Sequence, residues 1–195
     1  VLNAYGISTV EGMVIEGKTS NYSQSPYLIL PKILSASLTA DVADGYLMMP
    51  YSVGLSLEDG DSLTELLTTS KKAISKTNIK EATDYEKEEG DIDGPFSLAA
   101  LYTGESDDEA EAGELIVVSS AVMFTDEADE IVSGNNLTWF KSILNELSVS
   151  KASKEAVSID VKSYENSLLT VSAAAAIMYG IIGVIAVPVA LIVIG

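Results

Sequence analysis

Histidine, cysteine and arginine are all missing from this sequence of 195 residues. Each absence removes a class of chemistry. Without His or Cys there is no imidazole base, no thiol nucleophile and none of the usual zinc ligands. Without Arg there is no planar fork to grip phosphate or carboxylate, so the eleven cations are all lysines. Phosphate loops of the Gly-x-x-x-x-Gly-Lys-Ser/Thr or Gly-x-Gly-x-x-Gly type are missing as well, which excludes an ATPase of the familiar kind. Twenty-nine acidic residues set the formal net charge at −18. So acidic a surface repels nucleic acid and anionic lipid, because phosphate binding needs clustered cations. Lack of Cys fits a cytosolic and a disulfide-free extracytoplasmic protein equally well.

The carboxylates that remain fall in runs. Asp91-Ile-Asp-Gly94 resembles half of a calcium loop, but a third carboxylate and a distant Glu are missing. Asp107-Asp108-Glu109, and Asp126-Glu127 with Asp129-Glu130, are equally incomplete, and solvated loops explain all of them. Ser119-Ser120 ends a strand, where nucleophiles often sit, yet no His exists to act as base; a Ser-Lys pair stays formally open, although Ser150-Lys151 and Ser153-Lys154 lie in a polar linker. Tyr22, Tyr27, Tyr46, Tyr51 and Tyr102 are spread over the chain and fit either sugar binding or ordinary packing. Trp139 reads as half-buried on a helix. No residue is assigned a catalytic, cofactor-binding or metal-binding role, and no cofactor is expected.

In chain order, Gly12 to Gly17 reads as a brief strand, and Tyr27 to Leu34, interrupted by Pro31, as an edge piece. Ser37 to Ala43 suits one or two helical turns capped by Ser37 or Thr39. Gly45 to Met49 is a candidate buried strand, and Leu63 to Ser70 and Pro95 to Tyr102 are further strands. Between them, Asp84 to Asp93 is an acidic run opposed only by Lys87, and after Tyr102 a second acidic run, Glu105 to Glu114, reads as a solvated loop joining two strands. The continuous apolar run Leu115 to Ser119 predicts a central strand covered on both faces. Asn135 to Leu147 predicts a helix whose apolar stripe (Leu137, Phe140, Ile143, Leu144, Leu147) covers a sheet face. Strand, loop and helix in that order suggest an α/β unit.

From Leu168 to Gly195 no residue is charged, and small residues stud the run. A bilayer core needs about 20 apolar residues in a helix, so the run predicts a single membrane helix. The flank Asp160 to Glu165 has no basic cluster, which places it on the extracytoplasmic side. The organisation expected is an α/β domain over 1–150, a final strand (Ala156 to Val161) and juxtamembrane linker over 151–166, and a transmembrane helix over 167–195. With Val1 first and no signal peptide, the sequence is expected to be the C-terminal part of a longer protein.

Tyr5-Gly-Ile7, Ser25-Pro-Tyr27 with Pro31, Leu47-Met-Met-Pro-Tyr51, Leu66-Leu-Thr-Thr-Ser70, Gly90-Asp-Ile-Asp-Gly-Pro-Phe96 and Gly134-Asn-Asn-Leu137 occur in that order. Together they resemble the extracytoplasmic domain of the gliding-motility-type (Gld) auxiliary component of ABC transporters. The resemblance spans most of the chain and includes the Ala-rich segment near Leu168, similar to that family's last membrane helix. It implies part of a Rossmann-like, glutamine-amidotransferase-like α/β domain without known catalysis, partnered by an ABC permease and a separate ATPase subunit at the cell membrane. One departure is Val122, where the family carries an acid. The expected function is a non-catalytic, membrane-anchored auxiliary subunit of an ABC transport system, acting by association through its anchor and its Tyr-bearing surface. The alternative is a surface module that binds carbohydrate or peptide, unconnected to transport.

Overall fold

A computed structural model describes residues 1–79, 84–104, 113–149 and 187–194. The chain divides into two compact units, Val1–Ser153 and Lys154–Gly195. The first is built on a six-stranded sheet. Its strands are β1 (Ile7–Thr9), β4 (Lys32–Ile33), β6 (Leu55–Leu57), β7 (Leu63–Thr68), β10 (Ser97–Thr103) and β11 (Glu114–Val118). β10 is its axis. β7 runs along one side of it; on the other, β6 meets it at Ser97 and β11 pairs from Ala99 to Thr103. A second sheet joins β2 (Met13–Ile15), β8 (Ile74–Lys76) and β9 (Ile92–Asp93), and a ribbon pairs β3 (Leu28–Ile29) with β5 (Met49–Pro50).

Every registered strand pair is antiparallel. That overturns the Rossmann-like α/β expectation. Parallel strands need crossovers of a dozen or more residues, usually helical. Here the helices α1 (Asp126–Ile131) and α2 (Asn135–Val149) come after the last described strand, and only short 3-10 turns precede them among the described residues. The Leu115–Ser119 strand is not central either. β11 is half-buried throughout and, among the described strands, pairs only with β10. The strand covered on both faces is β10, where Leu98, Ala99 and Ala100 are fully buried. Its small alanines let neighbouring layers approach, and they give a weaker hydropathy signal than Leu-Ile-Val-Val.

The local readings fare better where the signal is short-range. Pro31 separates two short strands, with β4 at the sheet edge. The 3-10 segment Ser37–Val42 is tied by Thr39, whose Oγ1 accepts from Ala36 N–H at 3.0 Å. Leu47, Met48 and Met49 are fully buried as expected, although the strand there is only Met49–Pro50.

Helix α2 forms where expected, but of the expected stripe only Ile143 is buried among the described side chains, beside Trp139. Asn136, Trp139 and Ile143 are buried, whereas Leu137, Phe140 and Leu144 are 47%, 37% and 47% exposed. Two apolar stripes lie side by side on this helix, and the one carrying the large indole won the core. There Trp139 and Ile143 join Leu38, Val42, Leu66, Phe96 and Leu98 in a single apolar cluster.

The membrane reading is corrected too. Among the described residues no helix is long and apolar enough to cross a membrane. The described part of the expected 167–195 span is α3 (Val187–Ile194), eight residues. Its rise is about 12 Å against a hydrocarbon core of roughly 30 Å. An apolar run meets the length rule without fixing where a helix starts and stops. Residues 167–186, the expected strand and linker over 151–166, and the acidic run 105–112 lie outside the described residues.

Candidate functional site

The free edge of β2 organises a tyrosine cluster. Val14 N–H donates to Ser52 O and Glu16 N–H to Pro26 O, each at 2.9 Å, so two loops far apart in sequence are stapled to one strand. β3 and β5 pair Leu28 with Pro50 and Ile29 with Met49, and Tyr51 N–H closes onto Tyr27 O at 3.0 Å. The Tyr27 and Tyr51 rings consequently stack, centroids 5.1 Å apart and planes 14° from parallel. Two residues in the left-handed region flank this stack, Gln24 at φ 56° and Tyr51 itself at φ 54°. For a residue with a Cβ that conformation costs about 1–2 kcal/mol, so the surrounding hydrogen bonds hold Tyr51 against its own preference.

A third tyrosine comes from the acidic run. β8 ends on Lys76, whose side chain is fully buried. Its Nζ donates to Glu86 O at 2.5 Å and pairs with Glu88 at 3.3 Å and Asp91 at 3.6 Å. Asp91 in turn accepts from Thr77 N–H at 3.0 Å and Glu88 N–H at 2.9 Å. The acidic run Asp84 to Asp93, exposed along most of its length, thus closes over a buried cation. It presents Tyr85 edge-on to Tyr27, with centroids 5.8 Å apart.

Electrostatics follow the geometry. Burial pushes the Lys76 ammonium down, but Glu88 and Asp91 together outweigh it and hold the group above its ordinary value. Burial pushes Asp91 up, and the two backbone donors with Lys76 bring it below the ordinary carboxylate value. Tyr85 is raised by burial first and then by Tyr27 and Tyr51.

Replacing Lys76 with Met should therefore uncouple the 84–93 segment from β8. A raised lysine stabilises fully below its ordinary value of 10.5 and loses that contribution as pH rises through the folded value. A lowered carboxylate stabilises above its ordinary value of 3.8 and loses that as pH falls through the folded one. The wild-type chain should lose stability at both limbs, and Lys76→Met should flatten both while speeding proteolysis within 84–93. Thermal unfolding across pH and timed proteolysis check this; unchanged limbs with unchanged cleavage would refute the clamp.

Beside the tyrosines lies a cleft of about 320 Å3, lined by Glu16, Tyr22, Lys72, Tyr85, Glu86 and Lys87. Glu16 is buried and spent on structure: it accepts from Lys18 N–H, Ser70 N–H and Ser70 Oγ. Tyr85 on its wall is 44% exposed; Tyr51, 51% exposed, stands outside the lining and stacks on Tyr27, which Tyr85 meets edge-on. A polar cleft with exposed aromatic rings on it and beside it suits a small hydroxyl-rich ligand.

The other candidates land elsewhere. Tyr102 packs edge-on against Tyr5 at 5.1 Å, and Tyr46 stands exposed beside a hollow that Ile131 and Asn135 also line. Ser120 Oγ donates to Pro50 O, and Ser119 Oγ is buried without a partner among the described residues. Asp93 pairs with Lys87 at 2.6 Å, and Asp129 accepts from Leu137 N–H. Among the described residues no group of three or more carboxylates is placed to hold a metal ion. Val122 lies exposed on a 3-10 turn, and Trp139 is fully buried rather than half-buried. Residues 107–109 and 150–154 lie outside the description. Tyr85 and Lys76 were hidden inside charge runs, and only the Tyr-Glu-Lys interruption of the acids gave any sign of them.

Several of the motifs behind the Gld resemblance lie in this region, while Tyr5 packs against Tyr102 elsewhere. Ser25-Pro-Tyr27 and Leu47–Tyr51 form the stack, Ser70 binds Glu16, and Asp91 closes on Lys76. Asn136 brackets Met48, accepting from its N–H and donating to its carbonyl. No family model and no curated protein matches the sequence. Three solved chains match. One is an "mmIFT52 N-terminal domain", 17% identical over 80% of this chain with a TM-score of 0.51. This chain covers 58% of that one. A likeness at that identity shows a shared fold and nothing finer. The comparisons do not bear on the ABC-transporter expectation, and its membrane helix is corrected by the helix lengths above.

Proposed function

We propose that the first unit is a non-catalytic binding module for a neutral carbohydrate. A sugar ring lies on the exposed faces of Tyr51 and Tyr85, and its hydroxyls meet the polar groups of the adjoining cleft. The observation that carries this reading is Tyr51, a large aromatic kept at φ 54° and half-exposed, stacked on the Tyr27 ring that Tyr85 of the cleft wall also meets. Strain of that kind persists where the surroundings impose it, and it clusters at ligand clamps. The net charge of −18 favours neutral over anionic glycans. The Gld resemblance, to a domain not known for catalysis, supports the non-catalytic half. Glycoside hydrolysis is the one reaction that carboxylates alone can run. Glu16, the buried acid of the cleft, is already engaged by three donors.

Titration of the protein against a panel of neutral glycans, followed by tyrosine ring shifts in NMR, tests the reading. Tyr51→Ala and Tyr85→Ala should each weaken binding about tenfold, in line with the loss of one aromatic anchor. Silence across the panel would refute carbohydrate binding, and turnover abolished by a single carboxylate change would refute the non-catalytic half. Backbone and function should also separate at Tyr51. Glycine adopts positive φ freely, so Tyr51→Gly should be about 1 kcal/mol more stable than Tyr51→Ala while binding no better.

A further inference from the structure

We propose that the outward face of α2 is a docking seam for an amphipathic helix of another protein, apolar along one side and flanked by Lys or Arg. Leu137, Phe140 and Leu144 are exposed although all three are large and apolar. Their spacing of three and then four residues is the seam pattern of paired helices, and in the sequence Leu147 continues it. A strip this narrow and straight fits a second helix better than a flat sheet or a loop. Phe124, 46% exposed, packs against Phe140 with ring centroids 5.2 Å apart and lengthens the strip at its N-terminal end. Between Phe124 and Leu137 is a hollow of about 60 Å3, deep enough for the tip of one aliphatic side chain, and Asp126 and Asp129 form its polar wall.

Charge selects the partner. Asp126, Glu127, Asp129 and Glu130 crowd one end of the strip and Glu146 stands on α2, against Lys141 as the opposing cation on the helix. A second copy would bring the same acids and a further net charge of −18 against them. Basic flanks on the incoming helix answer this rim, steer the encounter and exclude self-pairing. The seam is separate from the tyrosine cluster and does not depend on its ligand.

The full chain is titrated, by fluorescence anisotropy, with two designed three-heptad helical peptides that share a Leu seam. One carries Lys and the other Glu at the flanking positions. The Lys peptide should bind about tenfold or more tighter than the Glu peptide, and added salt should weaken it. Phe140→Gln and Leu144→Gln should each cost about tenfold. Both positions are exposed, so an unchanged melting temperature certifies the fold, and Tyr51→Ala should leave peptide binding untouched. Failure of both peptides to bind, or equal binding of both, would overturn the proposal. So would a concentration-dependent dimer that Phe140→Gln dissolves, which would make the occupant a second copy. Strong hydrogen-exchange protection of the free chain that Leu144→Gln abolishes would also overturn it, by making the occupant a segment of the same chain.

Discussion

Trp139→Ala is expected to lower the unfolding free energy of the chain by about 3–5 kcal/mol, the cost of emptying a large aromatic site in a core. The side chain is fully buried and shares one cluster with Leu38, Val42 and Ile143, so it is where α2 is fixed to the 3-10 segment beneath it. Its indole N–H has no acceptor among the described residues. A buried donor left unpaired costs about 1–3 kcal/mol, and phenylalanine removes that donor while keeping most of the ring contact. Trp139→Phe should therefore cost less than about 1.5 kcal/mol, because the two effects oppose each other. Urea unfolding followed by far-UV circular dichroism measures both, since the sequence holds only this one Trp and its fluorescence is lost with it. An alanine variant within 1 kcal/mol of wild type, or a phenylalanine variant as damaged as alanine, would show that the indole does not anchor the helix.

The contrast between stripes on this helix shows what a sequence exposes and what it hides. Apolar periodicity placed α2 correctly, because a repeat of three and four is local information. Periodicity grouped Ile143 with Leu137, Phe140 and Leu144. It could not tell that Ile143 would be buried beside Trp139 while the other three stay exposed, since the choice depends on what the Ser37–Val42 segment offers from across the fold. The same reasoning applies to strands. β7 and β10 were legible from composition and flanking turns, whereas Leu-Ile-Val-Val looked central and sits half-buried beside β10. Pairing direction is decided by the connections, and the sequence order of strand, loop and helix suggested a crossover that no described parallel strand completes.

The candidate site was legible only in fragments. Tyr27 and Tyr51 were in view as residues, but their contact is made by β3 and β5, two strands of two residues each. Nothing in the lysine run separates Lys76 from Lys71 or Lys72, which are exposed. Burial there arises from Asp91 and Glu88 closing over it from the next segment. Positive φ at Tyr51 is similarly invisible, because tyrosine is among the residues least suited to it.

Asn136→Ala is the second large effect expected, a loss of about 3–4 kcal/mol. The side chain is fully buried and uses both ends. Oδ1 accepts from Met48 N–H at 3.0 Å, while Nδ2 donates to Met48 O at 3.0 Å and to Met123 O at 2.8 Å. It thereby does for an isolated stretch of backbone what a neighbouring strand would do. Removing it strands three buried backbone groups at once, two of them on Met48 directly ahead of β5 and Tyr51. Damage should extend to the site, seen as loss of the ring-stacking shifts between Tyr27 and Tyr51 in NMR. Asn136→Asp separates shape from hydrogen bonding. A carboxylate there would face two carbonyl oxygens in a dry pocket, so its carboxyl should hold its proton to higher pH in the folded chain than in the unfolded one. A carboxyl raised in this way favours the folded state below its ordinary value, about 4, and that contribution disappears as pH rises through the folded value. The stability gap between Asn136→Asp and wild type should accordingly be narrow near pH 4 and wide at pH 7. Unfolding both proteins at each pH gives the gap directly. A gap that does not change with pH, or an alanine variant that leaves stability and ring shifts intact, would remove Asn136 as the clamp that sets Tyr51.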